Sequence, residues 1–247
     1  MKLLVLGHSD SDGSHLACKD DGLAWVLQRL VQESTGTPLE TVHRRLIAGP
    51  TAVAYMERQL DAERPDIVIL AISAYGAVVE LASNRVRERY GTRAAHFVNR
   101  QEVRVARLAE RLGPRGRRAL RVPRRAARRI LGTRPAVSFD DLFECYETLF
   151  QRLARREQVH TIILGGLGYS TEIERLNPRF EHLRTTLYPR LRALAERLHF
   201  DWTMHEDIAG GPEGKQAYLQ PDGIHSNEEC QRLAAEALLP LILARVR

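Results

Sequence analysis

An α/β fold built on a central, mainly parallel five-stranded sheet between two layers of helices is what this sequence predicts, and three observations predict it. Short β-branched or leucine-rich runs recur along the chain, each ending in glycine or polar residues, as buried strands delivering loops to one edge of a sheet do. Amphipathic stretches of 10 to 20 residues separate them, the alternation that makes parallel sheets covered on both faces. At 247 residues, the chain is also of ordinary length for one α/β unit.

Strand one is expected at Lys2 to Gly7. It is followed by a helix over Asp20 to Gln32, with Leu23, Trp25, Val26, Leu27, Leu30 and Val31 largely on one side. Thr41 to Ala48 reads as strand two, and Thr51 as the N-cap of a helix to Leu60. Asp66 to Ile72 is continuously apolar and β-branched, the pattern of a strand buried on both faces. Ser138 with Asp141 resembles a capping box opening a helix to about Arg156, and Thr161 to Leu164 makes strand four before Gly165 and Gly166. A helix from Arg179 to Leu198, a fifth strand at Asp201 to His205 and a final helix from Ser226 to Ala244 complete the series. The expected organisation is a single domain, 1–247, with an arginine-rich insertion or lid at about 100–134.

The net charge of +6 is concentrated in that insertion, where twelve arginines between Arg104 and Arg134 face one acid, Glu110. A contact with an acidic partner is expected there, whether an anionic substrate, a carrier or a membrane surface. No aromatic residue interleaves the arginines, so a stacking platform for single strands is not supported and no specific nucleic acid is expected. The apolar run Leu3 to Leu6 is too short for a signal peptide, and no stretch reaches the roughly 20 apolar residues of a membrane span. Cys18, Cys145 and Cys230 are too widely spaced for a disulfide framework or a metal knuckle and read as reduced thiols. A cytoplasmic protein without metal or cofactor is the expectation.

In a parallel α/β sheet the chemistry gathers beyond the carboxyl ends of the strands. Ser9 stands there, two residues after Gly7, in Gly7-His8-Ser9-Asp10-Ser11. At the other end of the chain, Pro221-Asp222-Gly223-Ile224-His225 precedes the final helix, and a carboxylate three residues before an imidazole can bind the ring nitrogen that faces away from a nucleophile. The remaining histidines, His15, His43, His96, His160, His182 and His199, read as surface or packing residues. His205, Glu206 and Asp207 follow strand five, where a pocket wall and an ordinary polar loop fit equally well.

Together these two blocks resemble the SGNH (GDSL-type) hydrolase family in order, spacing and setting. The resemblance implies the flavodoxin-like SGNH fold, Ser9 as nucleophile, and Asp222 and His225 as its partners. It also implies an oxyanion hole drawn from the amides of Ser9 and of Gly49, in Ile47-Ala48-Gly49 after strand two. Two departures stand out: His8 replaces the middle aspartate of the nucleophile motif, and Ser73-Ala74-Tyr75-Gly76 replaces the third block. Tyr75 there takes the place of the family's oxyanion asparagine. His8, Ser73 and Gly166 are candidate substrate contacts. The implied activity is cleavage of a carboxylic ester or thioester through an acyl-enzyme, with acyl transfer to another acceptor open. Two other readings stand beside it. One is a catalytically impaired protein of the same fold that binds an anionic partner. The other is a metal-dependent phosphoesterase, because His8-Ser9-Asp10-Ser11-Asp12-Gly13 also resembles the opening motif of the DHH phosphoesterases, with His8, Asp10 and Asp12 as ligands.

Overall fold

A computed structural model describes residues 1–9, 11–111, 130 and 132–245. Five parallel strands form one sheet in the order β2-β1-β3-β4-β5: β1 (Lys2–Gly7), β2 (Glu40–Arg45), β3 (Ile67–Ala71), β4 (His160–Gly165) and β5 (Asp201–Met204). The long helices are α1 (Leu23–Thr35), α2 (Ala52–Glu63), α3 (Ala82–Arg111, two helical runs that meet at a non-helical Gly91), α4 (Phe139–Ala154), α5 (Tyr188–Arg197) and α6 (Glu228–Leu243).

Burial follows the period of two that a pleated sheet imposes. Leu3, Val5, Ile67, Ile69, Ala71, Ile162 and Leu164 share one face and pack with Leu23, Leu27 and Val31 of α1 and Ala234, Ala235, Leu238 and Ile242 of α6. The alternate positions Leu4, Leu6, Val68, Leu70 and Ile163 are also fully buried. On the second side, α2 packs on α4 and α4 on α5, giving the expected three layers. Both faces are covered, which is why β3 reads as an unbroken apolar run and not as an alternation.

The chain falls into two compact units, 1–74 with 139–247, and 75–138. The second begins well before the expected insertion at about 100–134 and contains all of it. Within that unit Leu81 and Arg134 pair in both directions, Thr133 Oγ1 donates to Glu80, and the amides of Ala136 and Val137 donate to the Gly76 carbonyl. Arg134, counted among the insertion's positive charges, is ion-paired with Glu88. Residues 101–111 are helical, and the arginines from Arg115 to Arg129 lie outside the described residues. Among the described residues no helix is long and apolar enough to cross a membrane.

Element boundaries shift where tertiary bonds intervene. β2 ends at Arg45, three residues before its expected end, and the Leu46 amide turns to the Gly7 carbonyl at 2.7 Å. The single helix expected over 179–198 is divided by a wide helical turn, Leu183–Leu187, immediately ahead of Tyr188-Pro189. Proline has no amide hydrogen to continue an α-helical ladder, so the turn loosens there. Since β3 sits at the centre of the apolar sheet, replacing its fully buried Ile69 with Ala should cost about 2–5 kcal/mol, read as a lower urea midpoint at unchanged slope.

Candidate active site

β1 lies between β2 and β3, so the connection leaving it runs one way across the sheet and later connections run the other. That reversal opens a crevice at the carboxyl ends of β1 and β3. Ser9 sits on the loop that leaves β1 at this point. Gly7 is required beneath it: a Cβ there would stand 2.2 Å from Ser11 Oγ and 3.0 Å from the Ala71 side chain, so only hydrogen fits.

The histidine arrives from the far end of the chain on a closed loop. Gln220 donates its amide to the His225 carbonyl at 2.7 Å, Leu219 and Ser226 form an antiparallel bridge, and the Asn227 side chain caps α6 at the Cys230 amide. Inside this loop Asp222 Oδ1 accepts the amides of Ile224 and His225 at 2.8 and 3.0 Å. Asp222 Oδ2 lies 2.7 Å from His225 Nδ1, and His225 Nε2 lies 3.4 Å from Ser9 Oγ across 216 positions of sequence. Partial burial alone would raise the Asp222 carboxyl. The hydrogen bonds from the His225 ring and the two amides outweigh it and hold the group below the ordinary carboxylate value. An ionised Asp222 keeps the proton of the neutral ring on Nδ1 and leaves Nε2 as the acceptor toward the serine, the tautomer a general base requires.

A second hydroxyl–imidazole pair lies beside the first. Ser11 Oγ is 3.0 Å from His43 Nε2 on β2, closer than Ser9 is to His225. Ser11 is 3% exposed, however, and gives its proton to the His8 carbonyl at 2.9 Å, so the ring acts as donor and the pair braces the loop. His43 therefore belongs to the packing of the loop, as expected, whereas His15 lies within the site.

The other predicted residues fall as follows. Gly49 follows β2 with nothing within 4 Å of where a Cβ would stand, and its carbonyl accepts the Ala52 amide. His8 and Gly166 line one small pocket with Ser11, Leu23, Ala71 and His205. The Ser73 amide is committed, donating to the hydroxyl of buried Tyr146 at 2.7 Å. Tyr75 opens the second unit and is 49% exposed. Asp12, the third member of the alternative metal motif, spends its carboxylate on Arg45 at 2.8 Å and the Ser14 amide at 2.8 Å. Asp10 lies outside the described residues, among which no group of three His, Cys, Asp or Glu side chains could hold a metal ion.

Sequence reasoning missed a buried ion cluster that buttresses the histidine loop. Lys215, fully buried, places Nζ 2.7 Å from Glu174 and 2.6 Å from Glu206, and Arg184 binds both carboxylates. Glu174 belongs to the helical turn Thr171–Arg175, whose cap Ser170 donates its amide to the Gly223 carbonyl at 2.8 Å. Gly223 adopts φ +70°, and a Cβ on it would stand 2.8 Å from Ser170 Oγ. Nothing in the sequence pairs Lys215 with carboxylates 9 and 41 positions away; only its standing as the one lysine or arginine between Arg197 and Arg232 marks it. Glu206 is thus held in this cluster.

No family model and no curated protein sequence matches the chain. Solved structures do. The lipase/acylhydrolase from Enterococcus faecalis aligns with 99% of this chain and 97% of its own at a TM-score of 0.58 and 13% identity. The psychrotrophic esterase EstA from Pseudoalteromonas sp. aligns with 99% of this chain and 98% of its own, at 0.55 and 12%. An acetyl xylan esterase, AlAXEase, aligns with 98% of this chain and 100% of its own, at 0.56 and 12%. The chain has the SGNH hydrolase fold, from end to end.

Burial, opposed by the charge of Asp12, pushes the His43 ring down to about 4. An unfolded histidine titrates near 6.5, so between pH 6.5 and 4 the unfolded chain binds a proton that the folded ring refuses, and stability falls as the pH falls through that window. The loss should reach at most about 3 kcal/mol, and His43→Gln should flatten it in urea titrations at pH 7 and pH 4.5. Removing the buried ammonium with Lys215→Met leaves Arg184 alone against two carboxylates and should cost about 3–5 kcal/mol in the same assay.

Proposed function

We propose that this chain is a serine hydrolase that cleaves a carboxylic ester or thioester through an acyl-enzyme, with Ser9 as nucleophile, His225 as general base and Asp222 as the group that orients it. The observation carrying this reading is the unbroken line from hydroxyl to imidazole to carboxylate, 3.4 and 2.7 Å, at the switch point of the sheet. The esterases and lipases that share the fold support it.

In the proposed reaction His225 Nε2 takes the Ser9 proton as Oγ attacks the substrate carbonyl, and Asp222 stabilises the imidazolium that forms. The negative charge developing on the carbonyl oxygen is met by the amides of Ser9 and Gly49. His225 then hands its proton to the departing alkoxide or thiolate. In the second half-reaction it activates water to release the acid, and an alcohol or amine acceptor in place of water would make the same step an acyl transfer. The absent asparagine removes one oxyanion donor, worth about 10² to 10³ in rate at comparable sites, so turnover slower by that factor than with a full set of donors is expected. The arginines of the insertion favour an anionic acyl substrate or an acidic carrier as partner, and three cysteines that form no disulfide among the described residues suit a cytoplasmic setting.

Labelling with a fluorophosphonate probe, mapped by mass spectrometry, tests the assignment and separates the two serines. Label should fall on Ser9, vanish in Ser9→Ala and persist in Ser11→Ala, which should instead lose about 1–3 kcal/mol of stability because His43 loses its partner. Asp222→Asn should lower kcat on p-nitrophenyl acetate by on the order of 10² to 10⁴, through the wrong tautomer of His225. A folded wild type that takes no label, yet binds polyanions in a salt-sensitive way, would replace the enzyme with a binding protein.

A further inference from the structure

The ring of His15 stands between the two loops that carry the proposed chemistry. Its Nδ1 is 2.9 Å from the carbonyl oxygen of Ser9, and its Nε2 is 2.9 Å from the carbonyl oxygen of Ser226, the residue after His225. Carbonyl oxygens only accept, so a neutral ring donates its one N–H to one of these carbonyls and lies in contact with the other. The same ring lies against His225, with centroids 4.7 Å apart and planes 21° from parallel. Gln220, whose amide closes the histidine loop, also donates its side chain to the His15 and Ser226 carbonyls at 3.2 and 3.3 Å.

We propose that His15 is a positioning residue of this site: a clamp seated between the backbone of the nucleophile and the backbone beyond the base, while its face fixes the plane of the base. The inference rests on the assignment of Ser9 and His225 above. Asp222 holds one edge of the His225 ring but does not prevent the ring from swinging about that hydrogen bond. The stacked face of His15 removes this freedom and keeps Nε2 aimed at Ser9 Oγ. Backbone anchoring on both sides sets the separation of two loops that no covalent neighbour connects. At an apo distance of 3.4 Å a small increase suffices to lose proton transfer, because misplacement by about 1 Å costs roughly 100-fold in well-oriented reactions. His15 acts through Ser9 and His225, so its removal should act on kcat and spare substrate binding.

His15→Phe keeps a flat ring to stack and removes the N–H donor; His15→Gln keeps a donor and removes the ring. Both should lower kcat on p-nitrophenyl acetate by about 10- to 100-fold, leave KM within about twofold, and slow fluorophosphonate labelling of Ser9 in parallel, with activity normalised to folded protein. A purely structural histidine would lower the melting temperature and leave kcat per folded molecule unchanged, and that result would overturn the clamp. Proton NMR of the wild type covers the case of variants that do not fold: Overhauser contacts between the His15 and His225 rings should be present in solution, and their absence would overturn the clamp. Wild-type labelling that is lost in Ser9→Ala, alongside His15 variants labelled at the normal rate, sinks this inference alone. Wild-type protein that takes no label at Ser9 sinks the assignment of the site as well.

Discussion

Everything at the candidate site depends on α1 and α6 packing together over one face of the sheet. Leu23, Leu27 and Val31 from one helix and Ala234, Ala235 and Leu238 from the other close over Leu3, Val5 and Ile69, and this burial is the main force that joins the two ends of the chain. The loop between β1 and α1 and the loop ahead of α6 are then adjacent of necessity. Polar bonds refine what the core sets coarsely. Gln231 of α6, itself fully buried, accepts the Leu23 amide at 3.0 Å and donates to Ser226 Oγ, so one side chain joins the first turn of α1 to the histidine loop.

The two loops are held by different chemistry, and each solution fits its surroundings. The serine loop is braced by close approach: Gly7 under Ser11, Gly13 against Gly22, and the Ser11–His43 pair. Its neighbours are strands, where backbone crowding is available and space is not. The histidine loop projects further into solvent, with the His225 side chain 29% and Asp222 44% exposed. It is braced from behind by buried charge. Such clusters contribute little net stability, because desolvation of four charged groups offsets their attraction, but they fix geometry by making any partial separation costly. Lys215 with Glu174 and Glu206 sets the turn at Ser170, and Ser170 sets Gly223.

Departures from the SGNH pattern fall in the loops, while the scaffold conforms to it. His8 does not disturb the turn, since its carbonyl, which any residue would supply, is what Ser11 uses. The Ser73 amide donates to the Tyr146 hydroxyl.

How much of this was legible beforehand follows from the range of each interaction. Strand and helix identities came from local periodicity, which is why all five strands and their parallel character were expected, and why their ends moved by up to three residues where a tertiary bond such as Leu46 to Gly7 decided them. Ser9, Asp222 and His225 were nameable because their motifs are short and ordered, although the sequence holds nothing that measures the 3.4 Å between its ends. His15, His43 and Lys215 were passed over for one reason. An isolated histidine or lysine carries no local pattern, and its role is written in partners up to 211 positions away. Composition and periodicity determine which faces must be buried; only the folded chain decides which polar groups meet once they are, because hydrogen bonds and ion pairs act over a few ångströms of space, irrespective of distance along the sequence.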